Sequence, residues 1–158
     1  LSTISPGSSL VHLGCGTSDV GPKLAAEPGL NLQVTDIDSS PSAVRIMRRR
    51  HGQRSGYTCA RADALNLPFP EASFDAAVDK GTIDALLCRS PEDAYNMAAE
   101  VHRVLRKGGI FLQVTAEDPD ARLELLTMQK KGMGWSRSVF REIGEGEQFS
   151  YFLYALVK

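Results

Sequence analysis

The sequence predicts an α/β fold: a doubly wound, Rossmann-like sheet, mostly parallel, that closes with a C-terminal antiparallel hairpin. Three observations carry this. Short apolar runs alternate with helical patterns five times along the 158 residues. The first run, Val11-His12-Leu13, breaks into Gly14-Cys15-Gly16 and then into a helix, a turn whose glycines let the backbone come close to a ligand. About 20 residues later, as such folds require, Leu32-Gln33-Val34-Thr35-Asp36-Ile37-Asp38 forms a second run that ends in acid.

The elements follow in order. Ser9 to Leu13 is short, apolar and bounded by Pro6-Gly7, as a buried central strand is. A first helix is expected over residues 19–27, with Pro22 tolerated in its first turn and Pro28-Gly29 ending it. After the second strand, Ser40 caps a helix with Pro41 at its first position; it turns Ala43, Val44 and Met47 toward the sheet and stops at Gly52. The cations at its end, Arg48, Arg49, Arg50 and His51, with Arg45 and Arg54 nearby, complement the negative end of the helix dipole. Without interleaved aromatics they do not read as a nucleic-acid patch. Residues 57–62 are a third strand and 73–79 a fourth, with Phe74, Ala76 and Val78 in alternation.

Ser90-Pro91-Glu92-Asp93 opens the clearest helix. Its apolar stripe is Ala94, Met97, Ala98, Val101, Val104 and Leu105, and Arg103, Arg106, Lys107 and Gly108 mark its end. His102 lies off that stripe and is expected to face solvent. Residues 110–115 form a fifth strand, and an amphipathic helix continues to Lys130. The glycine-rich joint 131–134 leads to a strand over 135–143. A turn at Gly144-Glu145-Gly146 then returns the chain antiparallel over 149–157, where Tyr151, Phe152, Leu153, Tyr154 and Leu156 cover an edge.

Composition bounds the rest. With 42% hydrophobic and 23% charged residues, the chain makes one domain, 1–158, with a substantial core. A formal net charge of −1 gives no long-range pull toward nucleic acid or an anionic membrane, so neither is an expected partner. Cys15, Cys59 and Cys88 lie far apart without C-x-x-C spacing, which argues against a disulfide framework or a zinc site and for a reducing, intracellular compartment. No run approaches the ~20 apolar residues of a membrane span. The chain begins at Leu1 without a signal or transit pattern, and is expected to be a fragment or processed form, lacking an N-terminal segment, of a monomeric protein.

In a doubly wound sheet, ligands sit outside the carboxyl ends of the strands. Gly14 to Asp19, Asp38, Asp63, Asp79 and Glu117-Asp118 all fall there. A dinucleotide would want a third glycine three residues after Gly16, where this chain has Asp19. A carboxylate facing two phosphates is unfavourable, whereas beside an ammonium or a sulfonium it is not. The turn therefore suits S-adenosylmethionine better than a nicotinamide dinucleotide. Asp38, followed by Ser39-Ser40-Pro41, is placed to accept both ribose hydroxyls, with Asp36 the runner-up. Asp63, beside Ala64, is placed to accept the exocyclic amine of adenine, its alternative being a turn-forming role. The expected cofactor contacts are Gly14, Cys15, Gly16, Asp38, Ser39, Asp63, Ala64 and Asp79, with no metal.

Asp79-Lys80-Gly81-Thr82-Ile83-Asp84-Ala85 resembles the D-K-G-T-x-D-A motif of class I, seven-strand S-adenosylmethionine-dependent methyltransferases that act on protein lysines, those of elongation factor 1-alpha and of citrate synthase. Glu117-Asp118-Pro119-Asp120-Ala121-Arg122-Leu123 is similar to the E-D-P-D-x-R-L segment of the citrate synthase branch, as are Gly134-Trp135 and the Tyr151-Phe152-x-Tyr154 ending. The resemblance implies methyl transfer to a lysine of a protein partner, citrate synthase or elongation factor 1-alpha, and a mitochondrial matrix address. It also implies an aromatic-rich segment ahead of the first strand that helps close the cofactor site. His12 departs from the acidic residue common in the superfamily two places before Gly14, and Ser18 replaces the superfamily's usual third glycine, as it does in the branch resembled.

Methyl transfer is mostly a positioning problem, so strand-end carboxylates are the candidates to hold the incoming amine. Asp79 comes first, then Glu117 or Asp118, with a cap on the following helix as the alternative for Asp79. Thr82 and Asp84 are expected to brace that turn, and Trp135 to pack. Three other readings stay open: a small-molecule acceptor, a non-catalytic scaffold of the same fold, and a nicotinamide-dependent reductase. Asp19 and the lack of a Tyr-x-x-x-Lys pair in the later helices count against the last.

Overall fold

The computed structural model describes residues 4–127, 133–144 and 150–158. The chain runs β1 (Ser9–Leu13), α1 (Val20–Ala25), β2 (Gln33–Asp38), α2 (Pro41–His51), β3 (Tyr57–Arg61), β4 (Phe74–Lys80), α3 (Thr82–Leu87), α4 (Pro91–Val104), β5 (Leu105–Thr115), α5 (Pro119–Thr127), β6 (Arg137–Ile143) and β7 (Tyr151–Val157). One seven-stranded sheet has the order β3-β2-β1-β4-β5-β7-β6. The first five strands in this order are parallel, with Leu13 of β1 opposite both Ile37 and Asp79, and β7 is antiparallel to both β5 and β6. The order reverses between β1 and β4, and a crevice opens there at the carboxyl ends of the strands.

Alternation along the central strands builds a core on each face. Leu10, Val34, Ala76 and Val78 meet Val44 and Met47 of α2 on one side. Val11, Leu13, Ala77 and Phe111 meet Met97 and Val101 of α4, Ile83 of α3, and Leu125 and Leu126 of α5 on the other. Such strands, covered on both faces, need near-continuous apolar sequence. The two long helices start as their sequences direct: the hydroxyls of Ser40 and Ser90 accept from the N–H of Ala43 and Asp93, both at 3.4 Å, with proline next in line.

Several expectations are corrected. The first helix is shorter than 19–27, and Asp19 turns its carboxylate to His51 Nε2 at 3.0 Å rather than to its own helix. The residues after the fourth strand form a helix, α3, of six residues, too short to show a period. Leu105, read as the end of a helical stripe, is extended and begins β5 opposite Phe74. β3 ends at Arg61, β4 runs on to Lys80, and β6 begins at Arg137. The last strand covers the edge of β5 as expected, but it is itself covered. β7 lies between β5 and β6, its residues 154–157 buried, and β6 is the edge, with Arg137, Arg141 and Glu142 exposed. α5 is not cleanly amphipathic, because Arg122 is buried on its inner face beside Leu125 and Leu126. His102 does not face solvent freely: its ring stands edge-on to Trp135 at 4.9 Å, and burial pushes its pKa down. The end of the expected helix at Lys130, the Lys131-Gly132 part of the joint, Glu145-Gly146 of the turn and the strand start at Phe149 lie outside the described residues.

Candidate active site

The turn after β1 is built so that only glycine fits. Gly14 has φ +58°, and a Cβ there would run into the Thr82 side chain, whose hydroxyl donates to the Leu13 carbonyl at 3.0 Å. Two residues on, the N–H of Gly16 donates to Asp38 Oδ2 at 2.7 Å, while Asp38 Oδ1 accepts from the N–H of Ser40 at 2.8 Å. One carboxylate thus joins the loop after β1 to the loop after β2. Each oxygen keeps a further lone pair for a ligand.

Beside it opens a cavity of about 460 Å³, lined by Gly14, Asp38 and Ser39 at one end and by Lys80, Gly81 and Thr82 at another. Ile37, Ala62, Ala64 and Leu65 give it an apolar wall, and Asp63 stands at the edge of that wall with its carboxylate exposed. Asp63 also accepts from the N–H of Leu65 at 2.9 Å, so the turn-forming and ligand-facing readings coexist. The loop carrying this wall is clamped from α4. Glu100 accepts from the N–H of Leu67 at 2.7 Å, and Arg103 donates to the carbonyls of Phe69 and Leu67 at 2.8 and 3.0 Å. A cavity of this size, with an apolar slot and a carboxylate that keeps free lone pairs at its mouth, fits an adenosyl sulfonium.

Gly14, Asp38, Ser39, Asp63 and Ala64 therefore come together at one cavity, and Gly16 adjoins it through Asp38. Cys15 and Asp79 are placed elsewhere. Cys15 is buried, and hydrogen bonding to Cys59 together with burial holds its thiol well above the usual range, so it offers the loop only backbone. Asp79 is fully buried under the Lys80-Gly81-Thr82 turn. Its carboxylate accepts from the N–H groups of Thr82 (2.8 Å) and Ile83 (3.3 Å) and from Gln113 Nε2 (3.0 Å). Burial pushes its pKa up against these bonds. Asp36 is sealed in the core, where it bonds His12 Nδ1 at 3.0 Å and accepts from the Tyr57 hydroxyl at 2.7 Å. His12 is thus a satisfied core histidine. Burial and Asp36 together push the Tyr57 phenol up.

Helix α3 separates this cavity from a second cleft. Thr82, Ala85 and Leu86 face the first; Asp84, Leu87 and Cys88 face the second, which holds about 490 Å³ and is completed by Thr115, Glu117 and Arg122. Glu117 is tied by its backbone, its N–H donating to Thr115 Oγ1 at 3.1 Å and its carbonyl accepting from the Tyr154 hydroxyl at 2.9 Å. Its carboxylate is exposed. Asp118 lies outside the cleft and accepts from the N–H of Asp120 at 2.9 Å. Asp84 does more than brace its own turn, since Oδ1 accepts from Thr115 Oγ1 at 2.9 Å and from Arg122 Nη2. Trp135 packs as expected, donating to the Leu126 carbonyl at 2.8 Å. Sequence reading missed Arg122 and Arg103 as site residues. The signal for Arg103 was Glu100 three residues before it on one helix, while an arginine amid the apolar positions of α5 was the signal for Arg122.

Known proteins agree with this geometry. The methyltransferase domain family matches residues 11–113. A citrate synthase-lysine N-methyltransferase of Danio rerio is 36% identical over 93% of the chain, and its human counterpart 32% over the same share. An EEF1A lysine methyltransferase of Mus musculus is 32% identical over 76% of the chain and half of its own length. The chain spans 63% of the zebrafish protein and 66% of the human one. Among solved structures, a SAM-dependent methyltransferase of Methanosarcina mazei superposes over 98% of the chain and 93% of its own with a TM-score of 0.77 at 19% identity, a likeness of fold. Fold, turn and family match converge: the chain belongs to the methyltransferase domain family, in its class I, seven-strand form.

Proposed function

We propose that the chain is the catalytic domain of an S-adenosylmethionine-dependent protein-lysine methyltransferase, with citrate synthase as first candidate substrate and elongation factor 1-alpha as second. The observation that carries the donor is Asp38, whose carboxylate is fixed by Gly16 and Ser40 at the mouth of a nucleoside-sized cavity. The lysine acceptor rests on the named relatives, as does a mitochondrial address. In this reading Asp38 accepts the ribose hydroxyls, Asp63 the adenine amine, and Ile37 and Leu65 cover the ring.

When bound, the donor supplies a methyl carbon whose bond to sulfur breaks as the bond to the amine nitrogen forms, leaving a thioether. The protein has to hold the nitrogen ~3 Å from that carbon and in line with it. A free lysine with pKa near 10.4 needs about 4 kcal/mol to be neutral at pH ~7.4, and its proton leaves to water before attack. A neighbouring carboxylate orients such an amine better than it deprotonates it.

The test is mass spectrometry of recombinant citrate synthase and elongation factor 1-alpha after incubation with the natural full-length protein and S-adenosylmethionine. One or more methyl groups on a lysine of either is the expected result. Unmodified lysines in both, from a protein that binds the donor, would overturn the lysine assignment.

A further inference from the structure

We infer that the cleft beyond α3 receives the acceptor amine, with Asp84 as the carboxylate that faces it and Arg122 as the residue that positions Asp84; this rests on the first cavity being the donor site. Place is the first ground. Asp84 Oδ2 lies 4.0 Å from where a Cβ on Gly81 would stand, and Gly81 lines the donor cavity. Asp84 thus reaches from the cleft to the wall of the donor cavity at Gly81.

The candidate carboxylates narrow to the same point. Asp79 is sealed under its turn with three donors on it, and Asp118 lies outside the cleft. Asp84 and Glu117 remain as the acids of the cleft, and Asp84 is the fixed one: Thr115 and Arg122 hold Oδ1, and Oδ2 lies toward Gly81. The adjoining groove, shared through Leu87, Glu117 and Arg122, adds Tyr95, Leu125 and Glu124. Apolar flanks with acids exceeding the one arginine suit a methylene stem that ends in an ammonium.

Arg122 itself is the independent sign that this corner is built for more than packing. It is 1% exposed, and its Nε and Nη1 have no hydrogen-bond partner among the described residues. Burying a guanidinium with donors unmet is unfavourable, and an apolar residue would fill the inner face of α5 at less cost. What Arg122 does in return is hold one oxygen of Asp84 by an ion pair, while the other lies near Gly81.

Two readouts on the natural full-length protein test this. The first compares Asp84→Asn, isosteric and partly exposed, with wild type: KM for recombinant citrate synthase or elongation factor 1-alpha is expected to rise about tenfold or more, while S-adenosylhomocysteine affinity by calorimetry stays within about twofold. The second needs no turnover. Cys88 lines the cleft and is exposed, whereas Cys15 and Cys59 are buried. With S-adenosylhomocysteine bound, Nα-acetyl-lysine amide should slow N-ethylmaleimide labelling of Cys88 and the norleucine analogue should not, a difference lost in Asp84→Asn. An unchanged KM, a parallel fall in S-adenosylhomocysteine affinity, or equal labelling with both amides overturns the inference. If wild type methylates neither protein, the lysine-protein assignment fails separately, and Cys88 protection alone decides whether the cleft takes an amine.

Discussion

Asp38 shows how much one side chain can organise. It holds two loops by backbone N–H groups and still faces the cavity. An Asp38→Asn variant keeps the side-chain shape but sets an NH2 where one oxygen accepted a backbone N–H and faced the cavity, so S-adenosylhomocysteine affinity should drop by about 3 kcal/mol, on the order of 100-fold, by calorimetry. Glu100 offers a pH-dependent counterpart. The Arg103 guanidinium, with the N–H of Leu67, holds its carboxyl below the usual range against the effect of burial. A depressed folded pKa means stability that is present above the unfolded value of about 4.3 and is lost as pH falls through the folded one. Glu100→Gln should therefore melt lower at pH 7, by roughly 1–2 kcal/mol in stability, with the gap closing below about pH 4. Asp38 was legible from its spacing after the glycine turn, whereas of Glu100 and Arg103 only their pairing three residues apart on one helix was. Their partners across the fold are backbone atoms of Leu67 and Phe69, more than thirty positions away, and backbone atoms leave no mark on sequence.

At the level of elements, the Glu100–Arg103 pair makes α4 the support of the cavity's apolar wall rather than a mere cover for the sheet. Arg103→Ala frees the Leu67 and Phe69 carbonyls and should loosen the loop that carries Asp63 to Leu65. Donor affinity is expected to fall about tenfold, with faster amide exchange at Ala64 and Leu65, since a slackened site binds at the expense of ordering it. Helix α3 illustrates the limit of pattern. Six residues make less than two turns, and its first N–H groups are met by Asp79 reaching up from β4, not by a serine or threonine in line. The capping alternative for Asp79 was therefore visible as chemistry before the helix was visible as periodicity. Ser40-Pro41 and Ser90-Pro91, by contrast, announce α2 and α4 because cap and first turn are adjacent in the chain.

Over the whole molecule, the parallel half of the sheet was readable because each strand ends at, or within two residues of, an acid or a glycine at the same rim. In the far half the last strand was readable as the cover of an edge; that β6 then lies outside it was not, because a hairpin pattern alone does not say which strand is outermost. The discriminating mark was present: β7 is apolar almost throughout, whereas β6 carries Arg137, Arg141 and Glu142. Truncating the interior strand should be costly. Leu156→Ala, at a fully buried position against Phe111, is expected to remove about 2–5 kcal/mol, lowering Tm by roughly 10 °C in a calorimetric scan.

The placing of β7 also sets an order of assembly. As the polypeptide leaves the ribosome, β6 emerges before β7, its neighbour in the described sheet, exists, so its amides and carbonyls must wait in water until β7 is translated and slots beside β5. Folding of this flank is thereby tied to a strand made after the other six of the described sheet, and the nascent protein passes through a stage with its glycine turn and first crossovers in place but its far side unzipped.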